Sequence, residues 1–178
     1  MTIQKWLVVE VEPPQSFRIF RAQWRHAVSP RTGETHSVIV LTAPDWVNVV
    51  ALTPDDEVVM VEQYRHGIEE VLLEVPGGMV ERGEAPSHGG ARELLEETGY
   101  AGDAPTTIGA VHPNPAFLSN RCHTVVIRNA RLVAEQQLDS GEDIAVHLVP
   151  VADIPAMIRD ERITHALVIA AFYHAGIC

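Results

Sequence analysis

The chain has 178 residues, a length that fits one domain or one domain with a small appendage. Its 13 basic and 24 acidic side chains give a net charge of −11, so nucleic acid and anionic membrane surfaces would repel it. The hydrophobic fraction of 46% indicates a folded core, and no stretch approaches the roughly 20 apolar residues of a membrane span. The two cysteines, Cys122 and Cys178, exclude a disulfide framework and a four-cysteine zinc site. Because the first residues lack the pattern of a secretion signal, we expect a cytoplasmic protein.

The pattern of apolar residues and turn formers predicts many strands and few helices, and therefore an α+β or layered α/β fold. The first predicted element is an antiparallel hairpin with strands at 17–28 and 36–42. Residues 87–98 are predicted to form a helix capped by Gly99 in the left-handed conformation, and residues 164–175 a helix with Thr164 as its N-cap. The other predicted elements are a short helix at 153–159 and strands at 46–52, 58–64, 71–75 (stopped by Pro76, Gly77 and Gly78), 106–111, 123–127 and 144–149.

The predicted helix at 87–98 carries an apolar stripe and an acidic cluster on roughly opposite faces. Carboxylates this close on a partly covered helix repel each other by roughly 3 kcal/mol per pair, so the cluster favours a bound cation. Oxygen ligands without a nearby cysteine favour Mg²⁺ or Mn²⁺ over zinc. The alternative is a solvated acidic face in which Arg92 pairs with Glu96. The stripe comprises Ala91, Leu94, Leu95 and Thr98, and the cluster comprises Glu93, Glu96 and Glu97.

The segment 78–100 resembles the Nudix box, G-x5-E-x7-R-E-U-x-E-E-x-G-U, where U is a bulky apolar residue. Leu94 fills the first apolar position and the more polar Tyr100 fills the second. With average residue frequencies near 7%, seven fixed matches arise by chance at roughly one in 10⁸ per start position. The seven fixed positions are filled by Gly78, Glu84, Arg92, Glu93, Glu96, Glu97 and Gly99.

The Nudix resemblance implies an α/β/α sandwich with a mixed central sheet, in which a loop and helix hold divalent cations against a diphosphate. It implies Mg²⁺ as the cofactor, with Mn²⁺ as the alternative, and in-line attack of water on phosphorus. By the same resemblance, the metal ligands are Glu93 and Glu97, helped by Glu96, with the carbonyl group of Gly77 as a further ligand. Arg92 and Glu84 would orient these carboxylates.

Features outside the box resemble the ADP-ribose pyrophosphatase branch of the Nudix hydrolases. Arg65 ends a Gln-Tyr-Arg strand at 63–65, and in that branch this arginine contacts the substrate. The segment 73–78 is similar to the branch's L-E-x-P-A-G entry, with Gly77 in place of the usual alanine. Pro115 lies 15 residues after Tyr100, at the spacing that marks the branch, and is assigned to the substrate site.

The loop at 141–147 resembles a segment that supplies a further acidic residue in this branch. We assign Glu142 to it as a metal ligand or general base. Ser140 stands where relatives are often acidic, which leaves Asp139 and Asp143 as alternatives for the base. A solvated turn residue is the other interpretation of Glu142.

The resemblance divides the chain into a β-hairpin region at 1–45 and a Nudix hydrolase domain at 46–178. Relatives use such a hairpin in an intertwined homodimer, so a homodimer is implied. The dimer would place Trp24 or Trp46 near a nucleobase, although a tryptophan in a strand is more often part of the core.

The sequence therefore predicts a metal-dependent hydrolase of ADP-ribose or a related nucleoside diphosphate sugar, giving a nucleoside monophosphate and a sugar phosphate. The predicted catalytic residues are Glu96, Glu142 and Arg92, and the predicted substrate contacts are Arg65, Trp46 and Pro115. The alternatives are a Nudix hydrolase acting on a dinucleoside polyphosphate or GDP-mannose, and a binding module that senses ADP-ribose without cleaving it.

Overall fold

The computed structural model describes residues 2–178, which form two compact units. The first unit comprises the chain up to Pro44 together with residues 112–121, and the second comprises residues 45–111 and 122–178. No helix within residues 2–178 is long and apolar enough to cross a membrane.

The first unit is built around an antiparallel sheet. The predicted hairpin is confirmed as β3 (Arg21–Val28) and β4 (Thr35–Thr42), paired along their whole length. Its first strand begins four residues later than predicted, because a turn closes at residues 17–20 through the Phe17 N–H and the Phe20 carbonyl group. Two strands that were not predicted, β1 (Leu7–Val11) and β2 (Gln15–Ser16), extend the sheet along the other edge of β3.

The central sheet of the second unit is mixed, as predicted. Its four strands run in the order β10 (Thr106–Val111), β11 (Cys122–Ile127), β5 (Trp46–Ala51) and β8 (Gly77–Met79). The pair of β11 and β5 is parallel, whereas the two outer pairs are antiparallel. A second, antiparallel sheet has the order β13 (Ile144–Pro150), β6 (Glu57–Arg65) and β7 (Glu70–Glu74).

Strand β8 corrects one prediction. Pro76 ends β7 as expected, but the two following glycines, which were predicted only to stop that strand, begin a new one; the bend at Pro76 with Gly77 and Gly78 is called the glycine turn below. Gly77 and Gly78 pair with Asn48 and Val47 of β5. Two more short strands that were not predicted, β9 (Tyr100–Ala101) and β12 (Arg131–Leu132), pair with each other.

Helices cover both faces of the central sheet, which gives the predicted α/β/α layers. Helix α1 (Pro86–Thr98) packs on one face, in a core that contains Leu94, Val49 and Val125. Helices α2 (Ile154–Arg159) and α3 (Ala166–His174) pack on the other face, around Phe172. Alternate residues of β5 belong to the two cores, as expected for a strand that is buried on both sides.

The helix ends follow the sequence prediction in one case and differ in the other. Gly99 caps α1 with φ +74°, in the predicted left-handed conformation. Helix α3 begins later than predicted, so His165 and not Thr164 is its N-cap residue, and the His165 side chain makes no capping hydrogen bond. The short predicted helix at 153–159 is α2, preceded by a 3₁₀ turn at Val151–Asp153.

Candidate active site

Helix α1 buries one of its acidic residues. Glu97 is only 4% exposed and lies in the buried stripe with Leu94 and Thr98, three and one residues away. The sequence pattern had placed Glu97 with the acidic cluster, on roughly the opposite face from the apolar stripe. That placement is wrong because position 97 is three residues after position 94, and residues at this spacing share a helix face.

The buried Glu97 carboxylate is held against the turn that enters β8. Its Oε2 accepts a hydrogen bond of 2.9 Å from the Gly77 N–H. The pKa of Glu97 is raised to about 8, mainly by burial and in part by the nearby charges of Glu93 and Glu142, while the Gly77 N–H and the Arg65 charge oppose the rise. A buried carboxyl group among other carboxylates is a group that a cation would stabilise in its charged form.

The raised pKa of Glu97 predicts how the metal-free protein responds to pH. Because the folded state holds this proton up to about pH 8 and an ordinary glutamate releases it near 4.5, stability should fall as pH rises between these values. Glu97→Gln removes this titration. Chemical denaturation in the presence of a chelator should therefore show the variant gaining stability over the wild type as pH rises from 5 toward about 8. If the difference in stability between the variant and the wild type is constant across this pH range, Glu97 does not have the raised pKa described here.

Arg92 is the centre of an ion-pair network on the same helix. Its Nη1 lies 3.0 Å from Oε1 of Glu93 and 3.0 Å from Oε2 of Glu96, and its Nε lies 3.2 Å from Oε1 of Glu84. Its Nη2 donates to the Met79 carbonyl group. The hydrogen bond with Glu84 raises the pKa of Arg92, and the same bond lowers the pKa of Glu84. The predicted pairing of Arg92 with Glu96 thus exists, but within a network that also includes Glu84 and Glu93.

Glu93 lies directly against the glycine turn. A Cβ atom at Gly78 would overlap the Glu93 carboxyl group, so only glycine leaves this side chain its place. Burial raises the pKa of Glu93, and the charges of Glu96 and Glu142 raise it too, whereas Arg92 lowers it. Glu142 itself is exposed in the turn before β13, where its carboxylate accepts a hydrogen bond from the Asp139 N–H.

The donor set at α1 matches a hard divalent cation in charge and chemistry. Its members are carboxylate oxygens, and those of Glu93 and Glu97 have pKa values raised mainly by burial and in part by neighbouring carboxylates. Within residues 2–178, however, no three acidic, histidine or cysteine side chains converge on one point. Glu93 and Glu96 are turned toward Arg92, so binding a cation would require these carboxylates to reorient.

A cavity of about 480 Å³ adjoins the glycine turn. Gly77 and Gly78 form part of its wall, together with Trp46 and Arg65, two of the predicted substrate residues. The third predicted substrate residue, Pro115, is not among the lining residues. It is exposed in a turn of the first unit, whereas all lining residues belong to the second unit. The remaining lining residues are Val47, Asn48, Gly67, Ile68, Leu72, Glu74, Met79, Cys122, His165 and Leu167.

Arg65 reaches the cavity as half of a bidentate ion pair. Its Nε and Nη2 donate hydrogen bonds of 2.7 and 2.8 Å to the two carboxylate oxygens of Glu74. The hydrogen bond to Glu74 also raises the pKa of Arg65. The Glu74 side chain is 3% exposed and the Arg65 side chain 41%, so the arginine is fixed at one end and open to a ligand at the other.

Two polar residues of the lining, Asn48 and His165, were not among the predicted site residues. Asn48 is the one polar residue in the apolar strand segment 46–51, a signal that was present in the sequence. His165 gave no signal of its own, because it comes from the start of α3, far along the chain.

The close approach of β5 and β8 predicts a steric requirement at Gly77. A Cβ atom there would overlap the Val47 carbonyl oxygen, so Gly77→Ala must displace the turn and should cost about 1–3 kcal/mol of stability. Gly67 is the matched control, because it lines the same cavity but a Cβ atom on it would meet nothing within 4 Å. Urea denaturation should therefore separate the two variants. Equal stabilities would show that the turn is not packed as described.

The second unit thus combines a mixed sheet between helices, an acidic helix beside a glycine turn, and an adjoining cavity. A family model described as a NUDIX domain matches residues 42–172. An ADP-ribose pyrophosphatase of Bacillus subtilis is 30% identical over 128 residues, covering 71% of this chain and 69% of the relative. A methanol dehydrogenase activator of Bacillus methanolicus is 31% identical over 159 residues, covering 87% and 84%. A solved structure described as an ADP compounds hydrolase has a TM-score of 0.86 at 21% identity, covering 98% of this chain and 94% of that one.

The chain belongs to the Nudix family. It is a Nudix pyrophosphohydrolase related to the ADP-ribose and ADP-sugar pyrophosphatases. The resemblance carried by the box at 78–100 is thereby confirmed, and so is the predicted fold class.

Proposed function

We propose that this protein hydrolyses the diphosphate bond of ADP-ribose or a related nucleoside diphosphate sugar, releasing a nucleoside monophosphate and a sugar phosphate. The observation that carries the proposal is the position of the carboxylates of α1 against the glycine turn that also forms a wall of the cavity. The relatives named as ADP-ribose and ADP-sugar pyrophosphatases support the choice of substrate.

In this proposal Mg²⁺, with Mn²⁺ as an alternative, is held by Glu93 and Glu97, with Glu96, Glu142 and the Gly77 carbonyl group as further ligands. Nudix proteins generally use a divalent cation, which supports the cofactor class. When bound, such a cation neutralises charge on the diphosphate oxygens and makes water a better nucleophile.

The side chains have separate roles in the proposed reaction. When no cation is bound, Arg92 forms ion pairs with Glu93 and Glu96 and so limits the repulsion between these two carboxylates. Arg65, fixed by Glu74, binds a phosphate oxygen or a ribose hydroxyl group through its open face. Glu142 lies in an exposed turn, and its charge is close enough to raise the pKa values of Glu93 and Glu97. This position suits a group that accepts a proton from the attacking water.

We also propose that the 1–45 region mediates a homodimer. The first unit exposes large apolar side chains on a sheet, which is typical of a surface that is covered by a partner. Trp24 is among them, 46% exposed, and in such an assembly it would contact a nucleobase. The other exposed apolar residues of 1–45 are Ile3, Trp6, Leu7, Val8, Val9, Val11, Phe17, Ile19, Val38 and Ile39.

The cytoplasmic location of the protein stays a prediction.

A panel of diphosphate compounds tests the proposed function. Phosphate released by a coupled alkaline phosphatase would be measured with ADP-ribose, ADP-glucose, GDP-mannose and diadenosine polyphosphates, each with Mg²⁺ or Mn²⁺. We expect the highest kcat/KM with ADP-ribose or another ADP-sugar. A preference for diadenosine compounds or GDP-mannose would refute the substrate assignment. Binding of ADP-ribose without turnover of any compound would favour the non-catalytic module.

A further inference from the structure

The chain segment that follows β12 folds back along the end of the acidic helix α1. The last four carbonyl groups of a helix have no partner within the helix, so other groups must bind them. The Glu96 carbonyl group accepts a hydrogen bond of 2.8 Å from the Gln137 N–H. Just beyond the helix, the Gly99 carbonyl group accepts one of 2.9 Å from the Val133 N–H. This segment therefore starts the loop to β13 from a fixed position on α1.

The side chain of Gln136 joins the end of α1 to the start of β13. Its Nε2 donates hydrogen bonds of 2.6 Å to the Glu97 carbonyl group and 3.2 Å to the Ile144 carbonyl group. An amide nitrogen carries two hydrogens, so one amide group supplies both bonds. Ile144 is 6% exposed and pairs with Gln63 of β6, which fixes it in the sheet. Gln136 itself is exposed, so these bonds and not core packing are its contribution to the structure.

The turn that carries Glu142 hangs between the two positions that Gln136 connects. The turn is closed internally, because the Glu142 N–H donates to the Asp139 carbonyl group and the Asp139 N–H donates to the Glu142 carboxylate, both at 2.9 Å. These bonds set the shape of the turn but not its place relative to α1. Glu142 lies two residues before Ile144, so the two Cα atoms are at most about 7 Å apart. Holding the Ile144 carbonyl group to α1 therefore limits where Glu142 lies.

We propose that Gln136 is a positioning residue, which holds the Glu142 turn at the acidic helix by bonding the carbonyl groups of Glu97 and Ile144. The inference rests on the proposed function for the part that Glu142 plays in the reaction. Gln136 lies outside the box at 78–100 and outside the cavity lining, and it acts through Glu142.

Hydrogen exchange measured by NMR tests the inference without relying on turnover. Gln136→Met keeps an unbranched side chain of similar length and removes both N–H donors. The N–H groups of Asp139 and Glu142 should then exchange about 2- to 10-fold faster than in the wild type, the range expected for the loss of one hydrogen bond. Gln137→Met is the matched control, because Gln137 is also exposed and bonds to the helix through its backbone N–H, which the substitution keeps. Exchange in the turn that is as slow in Gln136→Met as in the wild type would overturn the inference.

A double-mutant cycle with Glu142→Gln distinguishes positioning from a general effect on the fold. With the best substrate of the panel and saturating Mg²⁺, Gln136→Met should lower kcat about 10-fold and leave KM unchanged, since a small displacement of a reacting group is costly. Glu142→Gln should lower kcat at least about 10²-fold. Adding Gln136→Met to Glu142→Gln should lower kcat no further, because the place of the turn no longer matters once the carboxylate is gone.

The two possible failures give different results. If the effects of Gln136→Met and Glu142→Gln on kcat multiply in the double variant, Gln136 does not act through Glu142 and the inference is wrong. If the wild type turns over no compound of the panel, the proposed function fails, while the exchange rates still decide whether Gln136 holds the turn.

Discussion

Replacing Glu97 by glutamine should reduce kcat with ADP-ribose at least about 10²-fold while the protein folds normally. Glutamine keeps the size of the side chain and an oxygen that accepts the Gly77 N–H bond, but it removes the charge that a cation would require. The carboxyl group is also costly to ionise in its buried position, so the metal-free fold does not depend on its charge.

Steady-state kinetics over a range of Mg²⁺ concentrations, with circular dichroism to verify folding, would measure this effect. Glu161→Gln is the matched control, because the same chemical change then falls on an exposed glutamate two residues after the end of α2. It should leave kcat unchanged. Full turnover by Glu97→Gln would remove this residue from the metal site.

The second large effect is expected for Arg65→Ala. This change leaves the Glu74 carboxylate, which is 3% exposed, without its bidentate partner. Removing one member of a buried ion pair costs about 3–5 kcal/mol, and the lower end applies here because Arg65 itself is partly exposed. The variant should also bind substrate less tightly, since Arg65 lines the cavity.

Urea denaturation of Arg65→Ala and two control variants shows how much of the stability loss comes from leaving a buried charge unpaired. Arg162→Ala breaks an exposed pair with Asp160, both more than half exposed, and should change stability by less than about 1 kcal/mol. The double variant Arg65→Ala/Glu74→Leu should recover much of the lost stability, because no buried charge is left unpaired. A small effect of Arg65→Ala alone would mean that Glu74 is solvated in solution.

The box helix could be predicted from the sequence because its signals are local. Residues 86–98 contain the apolar spacing, the acidic cluster and the following Gly99 cap within a single stretch, and the structure forms the helix within one residue of the prediction. The burial of Glu97 was not predicted, although its spacing from Leu94 places it beside the apolar stripe, because the depth of its burial depends on the strand that packs against it. That strand includes Gly77, twenty residues earlier.

The cavity could be predicted only in part. Arg65 and Trp46 were assigned to the substrate site through the resemblance and through aromatic chemistry, and both line the cavity. Asn48 and His165 come from β5 and from the start of α3, segments that meet only in the folded chain. Strand β1 was missed although its segment, Leu-Val-Val-Glu-Val, is rich in valine, because its apolar residues do not alternate with polar ones as in a half-buried strand.

Calorimetric titration of the metal-free wild type and Glu97→Gln with Mn²⁺ and Mg²⁺, alone and with AMP, is the most direct test of the account. The wild type should take up divalent cation with proton release near pH 7, because the Glu97 proton must leave, and the variant should bind it at least about 10-fold more weakly. Absence of cation binding to the wild type under both conditions, or equal binding by the two proteins, would contradict the assignment of these carboxylates to a metal site.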